Sequence, residues 1–524
     1  MASKEAFLQD ISQGYTFKGE YLVLGSGMLD GTCLPEAQIK IPLRTLNRHG
    51  LIAGATGTGK TKTLQVLAEQ LSLAGVPSMV MDIKGDLSGL AMHGSENPKI
   101  VERHNLLGIP FEPSAFPVEM LTLSEQDGVR LRATVTEFGP VLFGKILDLS
   151  DVQESVVSVV FKYCDDNDMP LLDLEDFKKV LQYLSNEGKE EIEKEYGRIS
   201  TSSVGTILWK IVALEQQGAD RFFGETSFDV DDLCRFDDQG RGIVSILRLN
   251  DIQDKPALFS TFMMSLLAEV YATFPEVGDP DRPNLVLFID EAHLVFQNAS
   301  KELLNQIETI VKLIRSKGVG LFFITQTPTD IPDSVLGQLG FKVQHALRAF
   351  TAKDREAIKK AVQNFPITEH YELESLITSM GIGEALVTAL NEKGIPTPLA
   401  HTLLRAPTSR MDVLTPEELK SVIGKSALAR KYREPVDRES AHEIIAKKLE
   451  AAHAEEQQAE MRKQQEAARS NSGSTTTRRQ EKSTVEKIFD DPLTRQIGRT
   501  VARELTRGLL GVLGLGGKST RRRR

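Results

Sequence analysis

Short apolar runs alternate with helical stretches along much of the chain. They lie at 51–54, 78–83, 242–249, 284–290, 320–326 and 342–348. Short runs rich in β-branched residues are typical of strands buried on both faces, and the helical stretches between them indicate parallel pairing. The pattern therefore predicts an α/β fold with a mostly parallel sheet that is covered by helices on both faces.

One long stretch departs from this alternation. Within residues 100–235, apolar side chains such as Val152, Val156 and Tyr163 recur at helical spacing. We therefore expect a helical insertion at about 100–235 inside a core domain that spans 46–410.

The regions outside the core differ from it in composition. Residues 1–45 contain short β-like pieces and predict a small N-terminal segment. The composition shifts after about 411, where we expect C-terminal helices at 411–469, and residues 439–469 are rich in Ala, Glu, Gln and Lys, which predicts a solvated helix. A Ser/Thr-rich stretch at 470–484 predicts a flexible linker, and 485–524 form a basic tail.

The tail carries two stripes of side chains on opposite sides of a predicted helix. The apolar stripe and the basic stripe are each spaced by four residues: Leu493, Ile497, Val501, Leu505 and Leu509, and Arg495, Arg499, Arg503 and Arg507. Such a basic amphipathic helix suits an anionic membrane surface, nucleic acid or a groove on a partner protein. Docking on its own domain, with the arginines in water, is the alternative.

Composition narrows the class of protein. The chain has 524 residues, 40% of them hydrophobic, and a net charge of −10. Its three cysteines have no CxxC spacing, which predicts neither a disulfide framework nor a zinc site. The first residues do not resemble a signal peptide, and no apolar run reaches 18 residues. We expect a cytoplasmic protein of two or three structural units.

A glycine-dense loop follows the first apolar run. Residues 54–61, "GATGTGKT", fit G-x-x-x-x-G-K-[ST] between a strand and a helix. Such glycines turn backbone N–H groups toward phosphate oxygens, the lysine reaches the β- and γ-phosphates, and the threonine ligates Mg²⁺. The loop predicts an ATP site formed by Gly54, Ala55, Thr56, Gly57, Thr58, Gly59, Lys60, Thr61 and Thr63, with Thr61 as a metal ligand.

Two adjacent carboxylates end the run at 284–290. In "LVLFIDEAH", Asp290 suits a Mg²⁺ position and Glu291 suits a base that orients the attacking water. Unpaired charges avoid protein cores, so two adjacent carboxylates after a buried strand are uncommon as structure alone. The pair therefore predicts a hydrolase more than a passive nucleotide binder. His293 has no second ligand at metal spacing, and we expect it to pack or to hydrogen-bond.

Polar residues also end two neighbouring runs. Gln326 follows "GLFFIT" and could sense the γ-phosphate or its water, or could only cap the strand. In "MDIKGD", Asp82, Lys84 and Asp86 should lie at the same sheet edge as the glycine loop. They could relay the state of the nucleotide or form a polar turn, and the residues leave both possibilities open.

Together, the segments "GATGTGKT", "MDIKGD", "LFIDEAH" and "GVGLFFITQTPTDIPDSVLGQLG" resemble the HerA/FtsK superfamily of P-loop ATPases, and within it a bacterial group with a HerA-like C-terminal helicase domain. The resemblance covers about 20–410. It implies a RecA-like core, a homo-oligomeric ring that is usually hexameric, and ATP-driven movement of double-stranded DNA. It also implies a sensor role for Gln326 and an arginine finger at Arg315.

Geometry agrees with that last implication. Arg315 precedes the strand at 319–326, which separates it from its own phosphate loop by roughly 20 Å at about 3.3 Å per residue. We therefore expect it to serve a neighbouring subunit, and the alternative is a surface arginine that caps the C-terminus of its helix.

Two other functions remain open. The ATPase could act on a protein cargo, or it could be a nucleotide-dependent scaffold whose tail recruits a membrane or a partner.

Overall fold

The computed structural model describes residues 3–296, 301–432 and 438–470, and these residues form two compact units. The first unit comprises the described residues of Met1–Leu131 and Phe228–Glu434. The second comprises those of Arg132–Ser227 and Pro435–Arg524. The predicted linker at 470–484, apart from Ser470, and the basic tail at 485–524, with its Leu493–Leu509 and Arg495–Arg507 stripes, lie outside the described residues.

The strands of the described chain all belong to the first unit. They are β1 (Tyr21–Leu29), β2 (Thr32–Pro42), β3 (Gly50–Ala53), β4 (Ser78–Asp82), β5 (Val118–Thr122), β6 (Val129–Arg130), β7 (Val244–Arg248), β8 (Leu285–Ile289), β9 (Val319–Thr325), β10 (Phe341–Gln344), β11 (Glu384–Thr388) and β12 (Ala400–Leu404).

The α-helices of the described chain surround this sheet or build the second unit. They are α1 (Lys4–Gly14), α2 (Lys60–Leu73), α3 (Pro98–Leu107), α4 (Val135–Ile146), α5 (Asp151–Asp166), α6 (Leu174–Ser185), α7 (Lys189–Glu195), α8 (Thr201–Gln216), α9 (Pro256–Thr273), α10 (His293–Phe296), α11 (Lys301–Leu313), α12 (Asp333–Leu336), α13 (Ala352–Gln363), α14 (Leu373–Ser379), α15 (Pro416–Lys425), α16 (Ala427–Lys431) and α17 (Ala441–Ser470).

The strands form one sheet in the order β2-β1-β12-β11-β10-β3-β9-β8-β4-β7-β5-β6. Every pairing from β10 to β6 is parallel, and every pairing from β2 to β10 is antiparallel. Each residue of β3, β4, β8 and β9 is buried, so both faces of the sheet are covered at its centre. The predicted α/β fold with a mostly parallel sheet is confirmed.

The sheet reaches further into the flanking regions than the apolar runs indicated. β1 and β2, within the predicted N-terminal segment 1–45, join the sheet through β12. β5 and β6, within the predicted insertion 100–235, extend its parallel end. β5 carries the buried Glu119, which ion-pairs with Arg235 at 2.7 Å. This charged residue interrupts the apolar run that would otherwise have predicted the strand.

The second unit contains α4 to α8 and the start of α17. Ala441 and Ile445 of α17 are fully buried, and the Ala441 N–H donates to the carbonyl oxygen of Pro170 at 2.9 Å. Side chains from 450 to 465 are exposed. The helix predicted to be solvated is therefore packed at its start and solvated further along, because beyond Leu449 its apolar residues are only Ala and Met.

Candidate nucleotide-binding and hydrolysis site

The glycine loop connects β3 to α2 at the carboxyl ends of the parallel strands, which we call the nucleotide edge. Gly54, Gly57 and Gly59 have φ values of 157°, 77° and 118°, a region that side chains disfavour. A Cβ on Gly54 would also lie 2.5 Å from the Cβ of His345. The first N–H groups of α2 have no acceptor within the helix, which makes this end suited to an anion.

Lys60 begins α2 and is held over the loop. Its Nζ donates to the carbonyl oxygens of Gly54 at 2.7 Å and Ala55 at 3.1 Å. Burial lowers the pKa of Lys60, as does the nearby charge of Lys84, whereas Glu291 and Asp290 act in the opposite direction. The lysine therefore lies within electrostatic reach of the carboxylate pair.

The other loop residues of the predicted site are placed around Lys60. The Thr58 hydroxyl donates to the Ala55 carbonyl at 2.7 Å and closes the turn. Thr56 and Gly57 are exposed at the tip of the loop, and Thr61 is half-buried in the first turn of α2. Thr63 faces inward instead, with its Oγ1 at 2.9 Å from Nε2 of His345.

His345 is a member of this neighbourhood that the sequence did not single out. It follows β10, has no exposed surface, and burial lowers its pKa to about 4. The adjacent Ala346 carbonyl accepts the Ala55 N–H at 2.9 Å, so the residues that follow β10 hold the glycine loop by a backbone hydrogen bond. The only signal in the sequence is a polar residue inside an apolar run, which by itself is common.

Asp290 and Glu291 directly follow β8 at the nucleotide edge. Both are buried, and burial raises the pKa of Asp290 to about 7. Glu291 has a φ of 46°, a left-handed conformation that is uncommon outside glycine and clusters at functional sites. The His293 Nδ1 lies 3.3 Å from Glu291 Oε2, so this histidine contacts the carboxylate pair.

The "MDIKGD" segment forms a polar turn and also contacts the carboxylate pair, whereas its role as a relay of the nucleotide state stays a hypothesis. Asp82 forms the polar turn, accepting the N–H groups of Gly85 at 2.7 Å, Asp86 at 3.2 Å and Leu87 at 3.1 Å.

Lys84 instead contacts the site, with its Nζ at 2.6 Å from Glu291 Oε1. Burial opposes the charge of Lys84, but Asp290 and Glu291 raise its pKa overall.

Gln326 lies at the tip of β9, between β3 and β8 in the sheet. Its side chain is exposed, whereas the neighbouring Thr325 is buried and donates its hydroxyl to Asp330 Oδ2 at 2.6 Å. The strand end is thus capped by Thr325 and Asp330, and Gln326 is exposed at the nucleotide edge.

Arg315 lies away from these groups, in the short 3₁₀ turn Ile314–Lys317 that leads into β9. This is the amino end of the parallel strands, which we call the opposite edge. Its Nη2 lies 2.9 Å from Asp279 Oδ1, and Arg48 contacts the other oxygen of Asp279 at 3.3 Å. The length of β9, about 20 Å at 3.3 Å per residue, separates Arg315 from the loop of its own chain.

The sequence matches the family described as Helicase HerA-like C-terminal over residues 29–521. The chain belongs to this HerA-like family. It is similar to the DNA double-strand break repair helicase HerA of Sulfolobus acidocaldarius, with 21% identity over 396 residues that cover 73% of this chain and 70% of the relative. The HerA of Saccharolobus solfataricus is 20% identical over 389 residues, which cover 74% and 69%.

Two solved structures also align with most of this chain at low sequence identity. The bacterial conjugative coupling protein TrwBdeltaN70 has a TM-score of 0.48 and 15% identity, covering 78% of this chain and 94% of its own. VirB4 of Thermoanaerobacter pseudethanolicus has a TM-score of 0.46 and 17% identity, covering 78% and 100%.

Membership in the HerA-like family and the glycine loop agree on the class of enzyme. The chain is an ATP hydrolase of the P-loop class. Within the residues that the structure describes, no helix is both long and apolar enough to cross a membrane.

Proposed function

We propose that this chain is a ring-forming ATPase that couples ATP hydrolysis to translocation on double-stranded DNA. The observation that carries the proposal is the separation of Arg315 from the other candidate catalytic groups. The glycine loop, Asp290, Glu291 and Gln326 share the nucleotide edge, whereas Arg315 lies at the opposite edge. A complete site would then require the opposite edge of a second subunit, as in a head-to-tail ring.

Nucleotide and Mg²⁺ fit the residues of the nucleotide edge. The N–H groups at the start of α2 and the Lys60 ammonium would hold the phosphates, while the Thr61 hydroxyl and Asp290 would hold Mg²⁺. Burial disfavours the charged form of Asp290, and a nearby cation would reverse that preference. No cluster of three or more metal-ligating side chains occurs in the described ranges, which agrees with an ion held largely by phosphates and water.

Glu291 and Gln326 take the roles nearest the reacting atoms in this proposal. The Glu291 carboxylate, buried and oriented by Lys84, would orient the attacking water. The exposed amide of Gln326 would contact the γ-phosphate or that water. Bound Mg²⁺ would neutralise phosphate charge as hydrolysis proceeds.

Arg315 completes a neighbour's site in this proposal. An arginine supplied in trans stabilises charge on the transferring phosphoryl group, and the guanidinium is suited to bidentate contact with phosphate oxygens. Its present partner, Asp279, is an exposed carboxylate that water can replace at low cost. We favour a hexamer because the HerA/FtsK resemblance implies one.

Double-stranded DNA is the substrate we infer from the relatives, whose names describe DNA repair helicases. The test is the rate of ATP hydrolysis with and without duplex DNA at low and moderate salt, together with the mass of the assembly in solution. We expect a multimer whose hydrolysis DNA stimulates, with the stimulation falling steeply as salt rises.

Other results of that experiment would contradict the proposal. Stimulation by a protein partner alone would indicate a protein cargo. Negligible turnover combined with nucleotide-dependent assembly would indicate a scaffold.

A further inference from the structure

A cavity of about 470 Å³ opens at the opposite edge of the sheet in the first unit. It lies between the residues that precede β3, the end of α11, the start of β10, the residues that follow α13, and the end of β11 with the turn after it. Its volume falls within the roughly 300–1,000 Å³ of small-molecule sites. Apolar walls formed by Val311, Leu339 and Leu390 accompany polar groups such as Thr388.

Four cationic side chains line this cavity: Arg48, Lys312, Arg315 and Lys342. Among the described residues that form its lining, none is Asp or Glu. Asp279 contacts two of the arginines without lining the cavity, so it neutralises only part of the charge. The cavity, which we call the basic cavity, therefore has an excess of positive charge.

The hydrogen bonds of two cations leave capacity for an anion. Lys342 donates to one neutral acceptor, the carbonyl oxygen of Asn364, at 3.1 Å, and burial lowers its pKa. The Arg48 Nε is buried and has no hydrogen-bond partner in the described chain. A buried donor without an acceptor, and a desolvated ammonium without a carboxylate, both cost free energy that an anion would recover.

His49 on the lining adds no charge of its own. Its Nε2 lies 2.7 Å from the Val311 carbonyl, and its Nδ1 accepts the Leu321 N–H at 3.0 Å. Burial lowers the pKa of His49 to about 4, so the ring is neutral at pH 7. The charge of the cavity therefore comes from the four long cationic side chains alone, which can adjust to a ligand.

We propose that the basic cavity is a second binding site, distinct from the glycine loop, for the phosphate groups of a polyphosphorylated ligand. A single carboxylate would leave most of the positive charge uncompensated, whereas a diphosphate distributes several negative charges over acceptor oxygens. Guanidinium and ammonium groups are the usual protein partners of such oxygens. The apolar walls would contact a less polar part of the ligand.

Pyrophosphate is the probe for this site, and its binding is measured by calorimetry on Lys60→Ala, which weakens binding at the glycine loop. In that background we compare Lys342→Gln, Lys312→Gln and the control Lys359→Gln. Lys359 is an exposed helical lysine that does not line the cavity. Because Lys312 is also exposed, its substitution should preserve the fold even if Lys342→Gln does not.

We expect Lys342→Gln to weaken pyrophosphate binding about tenfold or more and Lys312→Gln about threefold, with Lys359→Gln changing it less than about twofold. Absence of pyrophosphate binding in the Lys60→Ala protein, or equal loss in all three variants, would overturn the proposal. These outcomes depend neither on hydrolysis nor on DNA, so the proposed translocase function stands or fails separately.

A second arm identifies the source of the phosphate. Pyrophosphate is titrated into the wild-type protein after saturation with a non-hydrolysable ATP analogue, once as the assembly and once as dilute monomer. Binding in both forms indicates a free ligand. Binding only to the monomer would overturn a separate site, because the phosphates of a neighbour's nucleotide would then occupy the cavity in the assembly.

Discussion

The two edges of the parallel sheet differ in how their charges are balanced. At the nucleotide edge, Lys84 pairs with Glu291 at 2.6 Å, and Lys60 lies within electrostatic reach of Asp290 and Glu291. At the opposite edge, Arg48 and Arg315 share the one carboxylate of Asp279, while Lys342 contacts a neutral carbonyl.

This difference separates two kinds of site. The nucleotide edge has its own cations and carboxylates, so the chain by itself places most of the groups to which we assign roles in the proposed hydrolysis. The opposite edge has more cations than carboxylates, and burying the charges of Arg48 and Lys342 costs free energy that a partner of opposite sign would offset. We infer that the first edge performs the chemistry and that the second edge acts on something outside its own subunit.

The largest effect should follow from Glu291→Gln. A neutral amide polarises water far less than a carboxylate, so we expect turnover to fall about 10²–10⁴-fold while ATP affinity changes little. Turnover and nucleotide binding are measured on the same preparation, with the exposed Glu356→Gln on α13 as the control. Unchanged turnover in Glu291→Gln would remove this residue from the proposed role.

Lys60→Ala should have the next largest effect, on ATP binding. Losing a charged donor to phosphate should weaken affinity about 10–100-fold. Lys62→Ala is the matched control, because the Lys62 Nζ donates to the Met411 carbonyl at 2.6 Å. Binding of a fluorescent ATP analogue checks both variants, and equal losses in the two would contradict a specific role for Lys60.

Lys84→Gln should lower turnover about tenfold, because it removes the charged partner of Glu291. Lys84→Arg, which retains a cation, should keep most of the activity. Steady-state kinetics of both variants provides the measurement. If Lys84→Gln keeps full turnover, the ion pair with Glu291 is only structural and the nucleotide edge needs one lysine, not two.

The smallest effect concerns Asp279→Asn at the opposite edge. Its ion pairs are exposed, so we expect a loss of less than about 1 kcal/mol in the free energy of unfolding, measured by denaturant titration. The same change increases the positive charge around the basic cavity, and pyrophosphate affinity should rise about twofold to threefold. A fall in that affinity would contradict the charge surplus inferred for this edge.

The sequence could predict those parts of the site that are contiguous in the chain. The glycine loop lies between β3 and α2, and Asp290 follows β8, so a strand, its end and the next residues define each group locally. The apolar runs of the sequence likewise predicted the parallel strands at the centre of the sheet.

Contacts between distant residues escaped prediction for a physical reason. His345 meets Thr63 across 282 residues, and Lys84 meets Glu291 only because β4 and β8 pair side by side. The basic cavity likewise collects side chains from five separate segments. Only the folded sheet determines which strand ends become neighbours.

The most direct test of the relation between the two edges mixes two variant proteins, Lys60→Ala and Arg315→Ala. Each variant alone should be nearly inactive, since one lacks the lysine proposed to bind phosphate and the other lacks the arginine proposed to act in trans. In a mixed ring, some interfaces join an intact glycine loop to an intact Arg315, and the account predicts recovered ATP hydrolysis. Mixed rings that form and stay inactive, or an Arg315→Ala protein that is fully active alone, would contradict it.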